Sequence, residues 1–298
     1  MKHWLRESLL LVAALALLAL AVALPPLKLQ RERAETVLVF DITQSMDVED
    51  VELDGVRVSR LAFAREAARR ALAELPCGAR VGWAAFTEYR TVLLLAPVEV
   101  CENYEDLLAT LAGIDGRMRW GNASEVAKGL FWAVRAAREL GSHPALVFLT
   151  DGHEAPPLHA FPNFEDVQPG QVGGWLLGIG GSVPQPIPRT DGEGQRIGYW
   201  RAVDVLQRPA LDGQPPSREH LSELREAHLR RLAARTGLGY APLRDPAALP
   251  RLLADSRFAR PAQVATDLHL VPAALALLLL CLYFSPLAPR RRRRTSGT

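Results

Sequence analysis

Three oxygen-bearing side chains, Asp41, Thr43 and Ser45, stand at alternate positions directly after the apolar run 37–40. Alternate residues of an extended turn point the same way, so these three could gather their oxygens at one place. That donor set suits a hard cation such as Mg²⁺. The same residues also fit a strand closed by an Asx or ST turn, in which the side chains satisfy backbone donors. The apolar run itself reads as a buried strand that delivers Asp41 to its C-terminal end.

The pattern D-x-[ST]-x-S after a strand resembles the metal-ion-dependent adhesion site of von Willebrand factor A (VWA) domains. The resemblance implies two further ligands later in the chain. Gly121-Asn122-Ala123-Ser124 runs into an amphipathic stretch, and alignment on Lys128-Gly129-Leu130 puts Ser124 where the family usually has Thr. The segment 145–152, ALVFLTDG, supplies Asp151 in the family's T-D-G setting. The implied metal set is therefore Asp41, Thr43, Ser45, Ser124 and Asp151. It would hold Mg²⁺ or Mn²⁺, with Ca²⁺ a second candidate, and with few carboxylates the ion keeps positive charge for an external carboxylate.

The elements that must position these residues alternate between strands and helices. Leu61, Ala64, Ala68, Ala71, Leu72 and Leu75 recur at helical spacing, as do Ala127, Leu130, Phe131 and Val134 in a helix expected over 124–140. A helix is expected over 104–111, strands over 81–87, 91–95 and 175–180, a helix over 218–236 stopped by Gly237, and a last helix over 246–255. The expected fold is α/β: a doubly wound, mostly parallel sheet with one antiparallel edge strand, VWA- or Rossmann-like, flanked by two transmembrane helices. Ligands of such folds collect beyond the carboxyl ends of the strands where strand order reverses, so Asp41 and Asp151 should meet there if their strands are neighbours.

The 298 residues are 49% hydrophobic and carry a formal net charge of +2, which gives no reason to expect nucleic acid. The apolar run 8–24 follows Lys2 and Arg6 and reads as an uncleaved signal anchor, with cleavage after an A-x-A site as the alternative. A second apolar run, 268–288, is followed by Arg290 to Arg294, a cluster that the positive-inside rule keeps cytoplasmic. The expected organisation is an N-terminal anchor over 1–27, a periplasmic VWA domain over 36–257, a C-terminal span over 268–288 and an Arg-rich tail over 289–298. The chain would then sit in a bacterial inner membrane by two spans, with both termini cytoplasmic. Pairing Thr87 with Thr91 across a loop at 88–90 and extending that register sets Cys77 opposite Cys101. A disulfide suits an oxidising compartment, and two unrelated buried thiols are the alternative.

Residues 183–200 form a Pro-rich insertion with an acidic-Gly turn, Asp191-Gly192-Glu193-Gly194, between two short extended pieces. This insertion and L-x-x-L-A-x-x-T-G at 229–237 resemble bacterial membrane-anchored VWA proteins of the aerotolerance (Bat) type. Those are associated with MoxR-type AAA+ ATPases. DITQSMDVED, WGNASEVAKGL and FLTDGHEAPP further resemble the VWA accessory proteins of methanol dehydrogenase maturation. The resemblance implies a protein client that offers an Asp or Glu to the metal, an ATPase and other VWA membrane proteins as partners, and an assembly factor rather than an enzyme. A metal-dependent hydrolase or metal-handling enzyme in the same crevice is the alternative, disfavoured because no general base or activated nucleophile stands beside the ligands. The acidic run Asp47, Glu49, Asp50, Glu52 and Asp54 reads either as a solvated loop or as a Ca²⁺ site. His153 and His159 read as exposed loop histidines. No nucleotide-binding G-x-x-x-x-G-K occurs.

Overall fold

The computed structural model describes residues 2–25, 27–158, 160–162, 167–205, 218–266 and 268–285. The chain divides into two compact units, Glu32–Arg260 and a terminal unit made of Met1–Arg31 and Pro261–Thr298.

The larger unit is built on a six-stranded sheet. Its strands are β1 (Glu35–Asp41), β2 (Arg80–Thr87), β3 (Arg90–Glu99), β4 (Ala145–Thr150), β5 (Gly174–Gly178) and β6 (Gly239–Pro242). Their order is β6-β5-β4-β1-β2-β3, all parallel except the β2–β3 pair. The helices are α1 (Arg60–Glu74), α2 (Tyr104–Ala112), α3 (Val126–Glu139), α4 (Glu226–Thr236) and α5 (Leu249–Leu253). Every residue of β1 is buried. Because side chains alternate across a strand, Leu38 and Phe40 join a core with α1, α2 and α5, while Val37 and Val39 join one with α3 and α4. The sheet is thus covered on both faces, the expected mostly parallel α/β architecture with an antiparallel edge.

From β1 the chain passes to β2 on one side and later returns to β4 on the other. The switch point therefore lies between β1 and β4, and the strands ending at Asp41 and Thr150 are direct neighbours.

Several expected boundaries move. Thr87 pairs with Arg90, so the β2–β3 turn is Glu88-Tyr89 alone, with Glu88 at φ 58°. Register then slips on either side of Trp83, bringing Arg80 opposite Glu99. Gly82 allows this slip, since a Cβ there would lie 2.5 Å from the Leu95 carbonyl oxygen. Cys77 and Cys101 flank the open end of the hairpin and are joined in a disulfide, their Cα atoms 5.2 Å apart. α4 begins at Glu226, not Arg218, because 221–222 is drawn into a two-stranded pairing with Gln185–Pro186. The last helix, expected over 246–255, is present as a 3-10 turn, Pro246–Ala248, continuing into α5 over Leu249–Leu253.

In the terminal unit a 22-residue helix, Lys2–Ala23, packs against a 15-residue helix, Leu270–Phe284. Small residues, Ala14 and Ala276, are buried while leucines such as Leu15 and Leu277 stay outward. Among the described residues no helix is long and apolar enough to cross a membrane, so the two expected spans are not supported. The second helix, at 15 residues, is short of a span. Arg290 to Arg294 and His159 lie outside the described residues.

Candidate functional site

Asp41 closes β1 fully buried, and its two oxygens are already directed. Oδ1 accepts from the Thr43 backbone N–H at 2.9 Å and from Thr43 Oγ1 at 2.7 Å, while Oδ2 accepts from Thr150 Oγ1 at 2.6 Å. Thr43 and Ser45 follow in a 3-10 turn, and their hydroxyls stand 3.2 Å apart. Thus the Asx-turn hydrogen bonds and the gathered oxygens coexist in one loop. Ser124 precedes α3 in a short bridge that ties it to Glu88 on one side and Ala155 on the other, and its Oγ donates to the His153 carbonyl at 2.7 Å. Asp151 leaves β4 beside Asp41, fully buried, with Oδ1 accepting from the His153 N–H at 2.9 Å. Thr43, Ser45 and Ser124 line one cavity of about 340 Å³, so three of the five expected ligands face the same space.

Residues that the sequence reading did not single out complete the cluster. Arg60, the first residue of α1, is fully buried. It donates Nε to Asp50 Oδ1 at 2.8 Å, Nη2 to Asp50 Oδ2 at 2.6 Å, and Nη1 both to Asp151 Oδ2 at 2.5 Å and to Ser222 Oγ at 2.7 Å. While accepting from Arg60, Ser222 donates its own hydroxyl proton to Asp151 Oδ2 at 2.7 Å. Gly180, at φ 134°, leaves room for this guanidinium, since a Cβ there would sit 2.7 Å from Arg60 Nε. A signal for Arg60 was present: it falls four residues before Ala64 and eight before Ala68, on the inward face, and at the helix end where a cation is disfavoured. Nothing in the sequence points to Ser222.

The electrostatics are unbalanced. Burial and the neighbouring Asp151 push the Asp41 carboxyl up to about 7, against the hydrogen bonds that favour its ionised form. Burial raises Asp151 too, but Arg60, His153 and the hydrogen bonds from the His153 N–H and the Ser222 hydroxyl together outweigh it and hold that carboxyl below its ordinary value. His153 is buried, not exposed as expected, and lines the cavity. Its burial lowers its pKa to about 4, against the opposing pull of Asp151 and the Glu219 backbone, so the ring is neutral.

The acidic run does not converge. Asp47 pairs with Arg119, Glu49 with Arg196, Asp50 with Arg60 and Asp54 with Arg70. Four carboxylates thus face four different arginines, an arrangement that pins the metal-type loop to its surroundings in place of forming a cage. The expected hairpin of the insertion is present as Pro188–Thr190 against Arg196–Tyr199, and it roofs the cavity with Ile187 and Trp200. Trp200 is fixed there, its backbone N–H on the Ile187 carbonyl at 3.0 Å, its indole N–H on Gln44 Oε1, and the Arg189 guanidinium 4.9 Å from the ring centroid.

Comparison with known proteins follows the same lines. A solved aerotolerance-related membrane protein from Bacteroides fragilis superposes with a TM-score of 0.51 at 17% identity, over 75% of this chain and 98% of that one. This likeness is one of fold. A von Willebrand factor type A protein from Catenulispora acidiphila gives a TM-score of 0.47 at 15% identity, over 76% of this chain and 43% of that one. In sequence, a UPF0353 protein of Mycobacterium sp. (strain KMS) is 34% identical over 161 residues, 50% of this chain and 44% of the relative. A UPF0353 protein of Mycolicibacterium paratuberculosis is 32% identical over 163 residues. The chain spans less than half the length of these curated relatives. No protein-family model matches.

The donor set fits a divalent cation. Among the described residues the buried cluster holds three carboxylates, Asp41, Asp50 and Asp151, and one guanidinium, so when all are ionised it carries an excess of two negative charges. A divalent ion matches that excess, and hydroxyls with carboxylates are the ligands a hard cation takes.

Proposed function

We propose that this chain is a VWA-type protein-binding module that grips its client through a metal ion, and that it acts as an assembly or maturation factor and not as an enzyme. The observation that carries the reading is the Asp41–Asp151 pair, only partly compensated by Arg60, beneath three hydroxyls that open on a cavity. Asp41, Thr43, Ser45, Ser124 and Asp151 would hold Mg²⁺ or Mn²⁺, and the bound ion would supply a positive centre for an Asp or Glu of the client. The hydroxyls are already committed to holding the loop, Thr43 to Asp41 and Ser124 to a backbone carbonyl, which supports binding over nucleophilic chemistry.

Membrane attachment belongs to the same reading. The outward leucines of the two terminal helices are apolar surface of the kind a lipid phase covers, with small residues between the helices. The Cys77–Cys101 disulfide suits an oxidising compartment such as the periplasm. A MoxR-type ATPase as partner, and a periplasmic dehydrogenase as client, follow from the motif resemblances.

The test is affinity capture from solubilised native membranes with Mg²⁺ or with EDTA, using the wild type and Asp41→Ala. Recovery of a client only by the wild type with Mg²⁺ supports the proposal. Equal recovery in every condition removes the metal from binding.

A further inference from the structure

The cavity above the metal-type loop is not an open surface. Thr43, Ser45 and Ser124 form its floor, Ala155 and Pro156 line it from the body of the domain, and Ile187 and Trp200 line it from the insertion. The insertion is fastened to the floor by contacts that converge from several segments. Gln44 meets both Trp200 and Asn122, Arg119 bridges Asp47 to Thr190, and Arg196 holds Glu49. A flat face of a folded partner would have to displace this roof to reach the hydroxyls. A single extended segment would not, because about 340 Å³ is the size of a small-ligand pocket.

Resting on the metal-dependent reading above, the geometry points to a bipartite peptide site: it takes one acidic residue, its carboxylate toward the metal-type floor, with a large apolar neighbour seated against Trp200 and Ile187. The walls and floor are chemically distinct, and both must be matched by one ligand. The floor calls for a carboxylate. The walls call for apolar surface, since Ile187 is 5% exposed and Trp200 presents a ring held in place from three directions.

The experiment is isothermal titration of the full chain in detergent with excess Mg²⁺. The probes are N-acetyl-leucyl-aspartyl-leucine amide, its glycyl-aspartyl-glycine analogue and its leucyl-asparaginyl-leucine analogue. The leucine-flanked acid should bind about tenfold or more tightly than the glycine-flanked one, as expected when a leucine side chain is largely buried. The asparagine peptide should not bind. Trp200→Ala should bring the leucine-flanked acid down to the glycine level while leaving the Mg²⁺ titration unchanged, which shows that the variant is folded. Trp200→Leu, which keeps an apolar wall, should retain most of the preference. Equal affinity of the two acids for the wild type overturns the bipartite site but leaves carboxylate capture standing. Mg²⁺ binding with no response to either acid overturns both.

Discussion

Arg60→Met is the substitution with the largest expected consequence outside the hydroxyl floor. It replaces a fully buried guanidinium with an apolar side chain of similar length and strips Asp50 and Asp151 of the cation they share. Removing one member of a buried ion pair costs roughly 3–5 kcal/mol, because the charge left behind is desolvated and unpaired. Here two carboxylates are left, beside an Asp41 already pushed up to about 7 by burial and Asp151, so the upper part of that range is expected. For a domain of this size the loss corresponds to a fall of about 6–20 °C in Tm. The assay is urea and thermal unfolding of the full chain in detergent, with EDTA and with Mg²⁺. Mg²⁺ should stabilise Arg60→Met more than the wild type, since the cluster's excess negative charge has grown. The double variant Asp50→Asn with Arg60→Met should recover about 1 kcal/mol or more relative to the single one, because contacting residues of one network do not add independently. Arg60→Lys, which keeps the charge but loses the fork, should fall between. A stability within about 0.5 kcal/mol of the wild type, or a double variant no better than the single one, would refute the charge argument.

Three further outcomes follow from the same geometry. Asp41 has its folded pKa raised to about 7 from 3.8, so the folded state holds its proton more tightly than the unfolded chain. Metal-free stability should therefore fall as pH rises from about 4 to about 7, a slope that Asp41→Asn should flatten and that urea midpoints at the two ends of the window will show. Reducing the Cys77–Cys101 disulfide, or replacing both cysteines by serine, opens a 24-residue loop and should cost about 3 kcal/mol, read as a lower Tm; an unchanged Tm on reduction would contradict the loop-closure argument. Calcium titrated into the Mg²⁺-loaded chain should show no additional site on the acidic run, because Asp47, Glu49, Asp50 and Asp54 are each held by a different arginine; a second binding isotherm lost in Asp47→Asn would reverse that reading.

Much of the architecture was legible because it follows from local periodicity. The apolar run 37–40 and the alternation of helical and extended segments lead directly to a covered parallel sheet, and the T-D-G at 150–152 lies at the end of its neighbouring strand. Asp41, Thr43 and Ser45 are bound to one another by chain proximity alone, so their hydrogen bonding is local physics. Where nonlocal contacts decide, the sequence is silent or misleading. Residues 218–225 have a helical pattern yet pair with the insertion, since Ser222 gains more from Arg60 and Asp151 than from one more helical turn. His153 sits in a polar, proline-flanked segment that looks exposed, yet it is buried beside Asp151 and Glu219, which the chain brings to it from a neighbouring strand end and from a distant loop. The acidic run looks like a cation site until four arginines from three separate segments arrive to neutralise it.

The sequence by itself therefore determined the sheet, its covering helices and the order in which five oxygen ligands could be offered. Only the tertiary structure decided that Asp41 and Asp151 stand side by side with a net charge left over, that Arg60 balances part of it, and that a tryptophan-bearing roof narrows the approach. The division has one physical cause: burial patterns and turns are encoded within a few residues, whereas charge balance and cavity shape arise from side chains up to 162 positions apart, as Arg60 and Ser222 are.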